Sequence, residues 1–138
     1  MHNKNKYPLF GWNDIIGQAV QTTQGGANLN VNFFRAASAN EESNYHVLDT
    51  DYETYTIVYN CDNYWGGFAH ADVLWILARE FDISESALAD VRQIINEKVP
   101  HYDMRKDSQR TYQGEQCEYE HMPETPDPTK NSLIGKSL

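Results

Sequence analysis

Residues 27–34 read ANLNVNFF. Leu29, Val31 and Phe33 fall on one side, and Asn28, Asn30 and Asn32 on the other. That is the period of two expected of a strand with one wet face. Residues 45–50, YHVLDT, stay extended, with Tyr45 and Val47 pointing one way and His46 and Leu48 the other. Residues 54–61, TYTIVYNC, are rich in the β-branched and aromatic side chains that suit a pleated surface. The run 62–67, DNYWGG, holds turn formers and two glycines, which predicts a hairpin loop. Residues 68–78, FAHADVLWILA, form the next predicted strand, and its second half is apolar on both faces. Something must therefore pack on each side of it. Residues 15–22, IIGQAVQT, are a fifth and weaker strand, with Gly25 and Gly26 in the turn that follows. Connections this short favour antiparallel neighbours.

The pattern changes after Arg79. Ser84 is a good N-cap, and Glu85 sits where the helix dipole favours negative charge. Leu88, Val91, Ile95 and Val99 then recur at helical spacing, with Ala87 and Ile94 beside them. Pro100 stops the helix, predicted over 84–99. Its apolar stripe needs a floor, which Leu74, Ile76, Ile57 and Tyr59 can supply. Val73, Trp75 and Leu77 then line the other side of the sheet. Residues 116–120, QCEYE, are a short terminal strand candidate, and 121–138, with three of the five prolines, read as a disordered tail. The fold class is mainly β with one C-terminal helix on an antiparallel sheet.

Composition narrows the partners. The chain has 138 residues and a mass of 15.9 kDa, the size of one domain. Its formal net charge of −9 disfavours nucleic acid and anionic membranes. No apolar run is long enough for a membrane span. The opening MHNKNK is polar and leads into YPLFGWNDII, not a charged region followed by an apolar one, so no signal peptide is expected in this stretch. Cys61 and Cys117 match neither a zinc spacing nor a CxxC pair. His70 and Asp72 share one strand face, with His46 a candidate neighbour, but a metal site needs three or more converging ligands. Alternation on a polar face accounts for the pair better. No P-loop, dinucleotide glycine pattern or nucleophile elbow is present, so no cofactor, metal or enzyme activity is expected.

The order DTDYETY at 49–55, then TIVYNC, then HADVLWILAR and a capped helix resembles the C-terminal half of the lipocalins. The resemblance is to the apolipoprotein D, bilin-binding protein and crustacyanin group, and it covers about residues 15–120. Lipocalins carry TDY between the sixth and seventh strands and an Arg at the end of the eighth. Thr50, Asp51, Tyr52 and Arg79 stand at these places. The family's G-x-W opening is not matched. Gly11 and Trp12 are adjacent, and residues 1–14 form a non-matching segment. The resemblance implies that the first three strands and the opening helix are missing. Cys61 and Cys117 stand where the family has two disulfide cysteines, and the expected partners are absent. Both features fit the back part of a longer lipocalin, and an incomplete barrel of about five strands.

The resemblance implies a secreted carrier whose barrel holds one small apolar ligand: a fatty acid or other lipid, sterol, retinoid, bilin or carotenoid. Positions resembling Trp75, Tyr45 and Phe33 line the pocket in apolipoprotein D-like proteins. Alternation adds Val31, Val58, Leu29, Val47 and Val73 to the same inward face. The same residues would also suit an ordinary core, and the sequence leaves both roles open. By the family's pattern Arg79 stacks on the first-strand Trp, with Trp12 a candidate substitute and solvation the other outcome. Asp51 and Tyr52 fix the turn. The alternative function is a non-catalytic interaction protein that self-associates through open sheet edges.

Overall fold

Residues 55–78 build the longest hairpin of the fold. In the computed structural model, which describes residues 1–7, 11–23, 25–113 and 117, strands β6 (Tyr55–Tyr64) and β7 (Ala69–Ala78) pair antiparallel over ten residues each. The pairing runs longer than the apolar pattern of 54–61 predicts. Residues 62–64 extend the strand, and the turn shrinks to a 3-10 turn at Trp65–Gly67. Gly66 and Gly67 take φ of 67° and 95° there, the left-handed region that glycine enters without a Cβ clash.

Upstream lie β3 (Gln18–Gln21), β4 (Asn28–Asn32) and β5 (Tyr45–Thr50). The five strands form one antiparallel sheet in the order β3-β4-β5-β6-β7. Among the described residues β3 and β7 are its two ends, so the sheet does not close into a barrel. Residues 1–14, outside the family pattern, are not without structure. Strands β1 (His2–Tyr7) and β2 (Gly11–Ile16) form a separate two-stranded ladder. The weak strand expected over 15–22 is therefore split at Gly17. A Cβ on Gly17 would come within 2.6 Å of the Phe33 ring and 2.8 Å of the Asn32 carbonyl oxygen, so only glycine fits that close approach.

Helix α1 (Glu85–Lys98) follows the sheet. The Ser84 hydroxyl accepts from the Ala87 amide at 3.2 Å, and the Val99 amide closes the last turn onto the Ile95 carbonyl. Val91 and Ile95 are fully buried against Ile57, with Leu74, Ile76, Leu48 and Tyr55 packed around them. Tyr59, expected in this floor, turns to Asp72 and His101 instead. Tyr102 and Met104, the latter opening the short helix α2 (Met104–Asp107), complete the cluster. Residues 1–108 form one compact unit that holds all these elements. The terminal strand expected over 116–120 and the tail over 121–138 lie outside the described residues, Cys117 apart.

Two local devices shape the middle of the sheet. A β-bulge between Val47 and Asp49 inserts Leu48, which packs toward α1. The Lys98 ammonium, at the negative end of the helix, donates to the Leu48 carbonyl and lies 3.3 Å from an Asp49 carboxylate oxygen. On β4 the asparagines do not simply face water. Asn30 is 4% exposed. Its amide donates to the Glu42 carbonyl at 2.9 Å and accepts from the Ser38 amide at 3.2 Å. Asn44 then bonds both the amide and the carbonyl of Val31, at 2.8 and 2.9 Å. The loop 33–44 thus folds over a face that period two alone reads as wet.

Because Ile95 has no exposed surface, truncating it leaves a cavity that α1 must bridge. Ile95→Ala is expected to lower the unfolding free energy by about 2–5 kcal/mol, and Ile57→Val by about 0.5–1.5 kcal/mol, in urea titrations. A loss well under 1 kcal/mol for Ile95→Ala would show that α1 is not docked on this sheet.

Candidate functional site

Register places the candidate side chains on one face. Leu29 pairs with Tyr45, Val47 with Val58, and Val58 with Trp75. Partners directly opposite each other share a face, so these residues look away from α1, and by alternation Val31 and Val73 join them. The Tyr45 and Trp75 rings stack at 6.3 Å between centroids and 17° between planes. They lie on the same face as Val58, the β6 residue opposite Trp75, which has no exposed surface. Val31 is buried at 7%, and Phe33 is half-buried against Gly17. Burial pushes the Tyr45 phenol up from its ordinary range.

The β7 end of this face is open. Val73, Trp75 and Leu77 are 43%, 41% and 45% exposed. These are half-covered apolar side chains beside an unpaired strand edge, unlike Ile57 or Val91 on the other face. Their placement leaves them able to be covered by something else.

The motif residues cluster at the opposite end of the hairpin. One Asp51 carboxylate oxygen accepts from the amides of Glu53, Thr54 and Tyr55 at 3.0, 2.7 and 3.0 Å. Those three donors, the Tyr55 amide foremost, hold the Asp51 carboxyl at about 2. The Thr50 hydroxyl accepts from the Tyr52 amide at 3.0 Å and donates to the Tyr55 carbonyl at 2.7 Å. Tyr52 is forced to φ 65°, a strained value for a non-glycine residue. Its carbonyl accepts from the Arg79 guanidinium at 2.8 Å. Arg79 is otherwise exposed and ties the turn to the end of β7. The side chain of Trp12, its candidate stacking partner, lies outside what is described.

A cavity of about 160 Å³ sits here, lined by Tyr52, Thr54, Thr56, Leu77 and Arg79 among others. Ligand pockets run from about 300 Å³ upward. This one is too small and too polar for a sterol or fatty acid, so the open apolar face is the better candidate.

The remaining polar candidates separate. Among the described residues His46, His70 and Asp72 do not gather as a metal cluster. His46 Nδ1 pairs with the Asn28 amide oxygen at 2.8 Å. Asp72 accepts from His101 Nε2 at 2.8 Å and from the Tyr59 hydroxyl at 3.4 Å. The His101 bond lowers the Asp72 carboxyl. Burial, with the Cys61 thiol and Asp72 alongside, pushes the Tyr59 phenol up to about 12. His101 was invisible to a reading confined to strand faces, because it lies 29 positions away, past α1. Among the described residues no three His, Cys, Asp or Glu side chains gather as a metal site. Cys61 and Cys117 are free thiols.

An open antiparallel sheet with a helix on one face and an aromatic-lined apolar surface on the other has the strand order and helix placement of a lipocalin-type fold. The model of the Lipocalin / cytosolic fatty-acid binding protein family matches residues 13–122, and the chain belongs to that family. Apolipoprotein D of Rattus norvegicus is 38% identical over 78 residues, covering 56% of this chain and 39% of the relative. Apolipoprotein D of Mus musculus is 32% identical over 94 residues, covering 67% and 48%. The chain thus spans less than half the length of these relatives. Lobster apocrustacyanin A1 superposes with a TM-score of 0.65 at 20% identity, over 84% of this chain and 60% of that one. The H1 crustacyanin of the lobster Homarus americanus gives 0.66 at 18%, over 86% and 61%. These structures share the fold.

The Asp51 clasp makes a pH prediction. Its folded value lies below the ordinary carboxylate value of about 3.9, so its stabilisation is complete above that pH and is lost as pH falls toward 2. Melting curves from pH 5 to pH 2 are expected to fall less steeply for Asp51→Asn than for the parent chain. Parallel slopes would mean that the clasp contributes nothing.

Proposed function

We propose that this chain binds one small hydrophobic ligand, of the lipid, sterol, retinoid, bilin or carotenoid class, on the apolar face formed by Leu29, Val31, Phe33, Tyr45, Val47, Val58, Val73 and Trp75. The observation that carries this reading is the stacked Tyr45–Trp75 pair, with Trp75 left 41% exposed beside buried Val58. Stiff aromatic rings offer flat contact area at low entropic cost. Each Å² of ligand or wall removed from water contributes about 25 cal/mol. Membership of the lipocalin family supports the ligand class, and the apolipoprotein D relatives support a secreted carrier. Among the described residues β3 and β7 are the two ends of the sheet, so in this reading the ligand lies on an open face. Thr50, Asp51, Tyr52 and Arg79 are positioning residues for the hairpin and do not touch the ligand.

A second reading is favoured by the β7 edge. Ten residues long and free of proline, lysine and bulges, with Asp72 its one charged side chain, it carries few of the devices that blunt an edge. Pairing with another strand there would also cover Val73, Trp75 and Leu77, so self-association competes with ligand for the same surface.

Titration with retinol and with biliverdin, followed by tryptophan quenching, is expected to saturate near one ligand per chain. Trp75→Ala is expected to weaken binding on the order of tenfold. A flat titration with both probes sinks the carrier reading. In sedimentation equilibrium, Val73→Lys is expected to convert dimer to monomer if edge pairing operates. A parent chain that is monomeric throughout removes that second reading.

A further inference from the structure

The backbone groups of a strand point alternately to its two neighbours, so β7 spends only every second residue on β6. The Arg79 amide donates to the Thr54 carbonyl at 3.1 Å, one step beyond the last pair of the ladder, Tyr55 with Ala78. Arg79 and Thr54 are therefore a hydrogen-bonded pair. The ladder runs without a bulge, so the same role falls on Leu77 with Thr56, Trp75 with Val58 and Val73 with Asn60. The N–H and C=O groups of His70, Asp72, Leu74, Ile76 and Ala78 are left to point away from β6. Among the described residues no strand lies on that side.

These outward groups are self-complementary. A two-fold axis perpendicular to the sheet sets a second β7 antiparallel to the first and keeps each face on its own side. Residues directly opposite then share a face. With the axis at Leu74, Leu74 meets itself, Asp72 meets Ile76 and His70 meets Ala78. Every outward residue of the strand thus finds an outward partner. Moving the axis to Val73 or to Trp75 leaves Ala78 or His70 opposite a residue beyond the strand. Moving it to Asp72 sets two carboxylates directly opposite each other, which is destabilising.

Side chains agree with the same register. Val73 falls opposite Trp75 of the second copy, and Ala71 opposite Leu77. These are the pairs without mutual hydrogen bonds, whose side chains approach most closely. They bring together the three apolar residues that β7 leaves half-exposed. The two Asp72 carboxylates stand about 13 Å apart along the strands, beyond the screening length of about 8 Å, and each is occupied by its own His101. Helix α1 is centred on Ile57 of β6. The two β6 strands lie three spacings apart, about 14 Å, and packed helices need only about 8–10 Å. The helices therefore do not collide.

We propose that β7 pairs antiparallel with β7 of a second copy about a two-fold axis at Leu74, joining two sheets and their apolar faces into one. The proposal rests on the self-association reading above and adds its register.

Amide hydrogen exchange of the full chain, followed by NMR at high and low concentration, tests the pairing without any substitution. Dilution is expected to speed exchange on the order of tenfold or more at Asp72, Leu74 and Ile76. It is expected to leave Val73 and Trp75, bonded to Asn60 and Val58, unchanged. Cross-linking then reads the register. In a Cys61→Ser/Cys117→Ser background, a mixture of Val73→Cys and Trp75→Cys chains is expected to oxidise to the mixed disulfide, across Cα atoms about 4.5 Å apart. Like chains, about 8 Å apart at these positions, lie beyond the roughly 7 Å limit for a bridge. If the cysteine substitutions abolish association, exchange in the parent chain decides. A parent chain monomeric at every concentration overturns both the proposal and the self-association reading. A dimer whose Asp72, Leu74 and Ile76 amides ignore dilution, or whose like chains cross-link in preference to the mixed pair, overturns the proposal and leaves self-association standing.

Discussion

Side chains on a strand alternate between two faces, and β6 and β7 are apolar on both. The chain has one long helix to offer among the described residues, so it can cover only one of those faces. Helix α1 takes the face of Ile57, Leu74 and Ile76, and there Ile57, Val91 and Ile95 lose all their exposed surface. The face of Val58, Val73 and Trp75 is left to itself. The Tyr45 ring stacks on Trp75 from across β6, and Val73, Trp75 and Leu77 on β7 keep 41–45% of their surface exposed. The character of the candidate site follows from this inequality between the two faces.

The polar side chains follow the same logic of obligatory partners. Asn30, Asn44 and Thr50 each satisfy backbone groups that a shorter or irregular strand leaves unpaired. Asn44 takes the place of a backbone pair opposite Val31, where β5 has ended. Asp51 does so most completely, by collecting three successive amides on one oxygen. These bonds let the chain turn sharply at 50–55 and tolerate the left-handed Tyr52. Arg79 then fastens the turn from the far end of β7.

Much of this was legible in the residues. Period two in 27–34, 45–50 and 68–78 separates the inner from the outer set, and the Ser84 cap with its stripe to Val99 locates the helix to within a residue. The TDYETY and WILAR motifs point to the lipocalin family. What escaped was decided by distant partners. Strand β1 is His-Asn-Lys-Asn-Lys-Tyr and has no apolar period, so only its ladder with β2 makes it a strand. Asn30 reads as wet until the loop 33–44 folds over it. Tyr59 and His101 find Asp72 from opposite sides of the helix in sequence. The eight candidate wall residues could be placed on a face by alternation. How exposed each one is depends on what lies beyond β7, which alternation cannot tell.

The extra residue at Leu48 has a bearing on how this chain could vary. Before it, β5 sends Tyr45 and Val47 to the open side. After it, Asp49 stands opposite Ile57 and Thr50 opposite Thr56. Losing Leu48 would leave those later pairings in step, so the motif turn would survive the deletion. An insertion or deletion placed between Asp49 and the turn would instead reverse the facing of Thr50. Length changes in this family member should therefore be absorbed at a single point of β5 and be forbidden two residues further on.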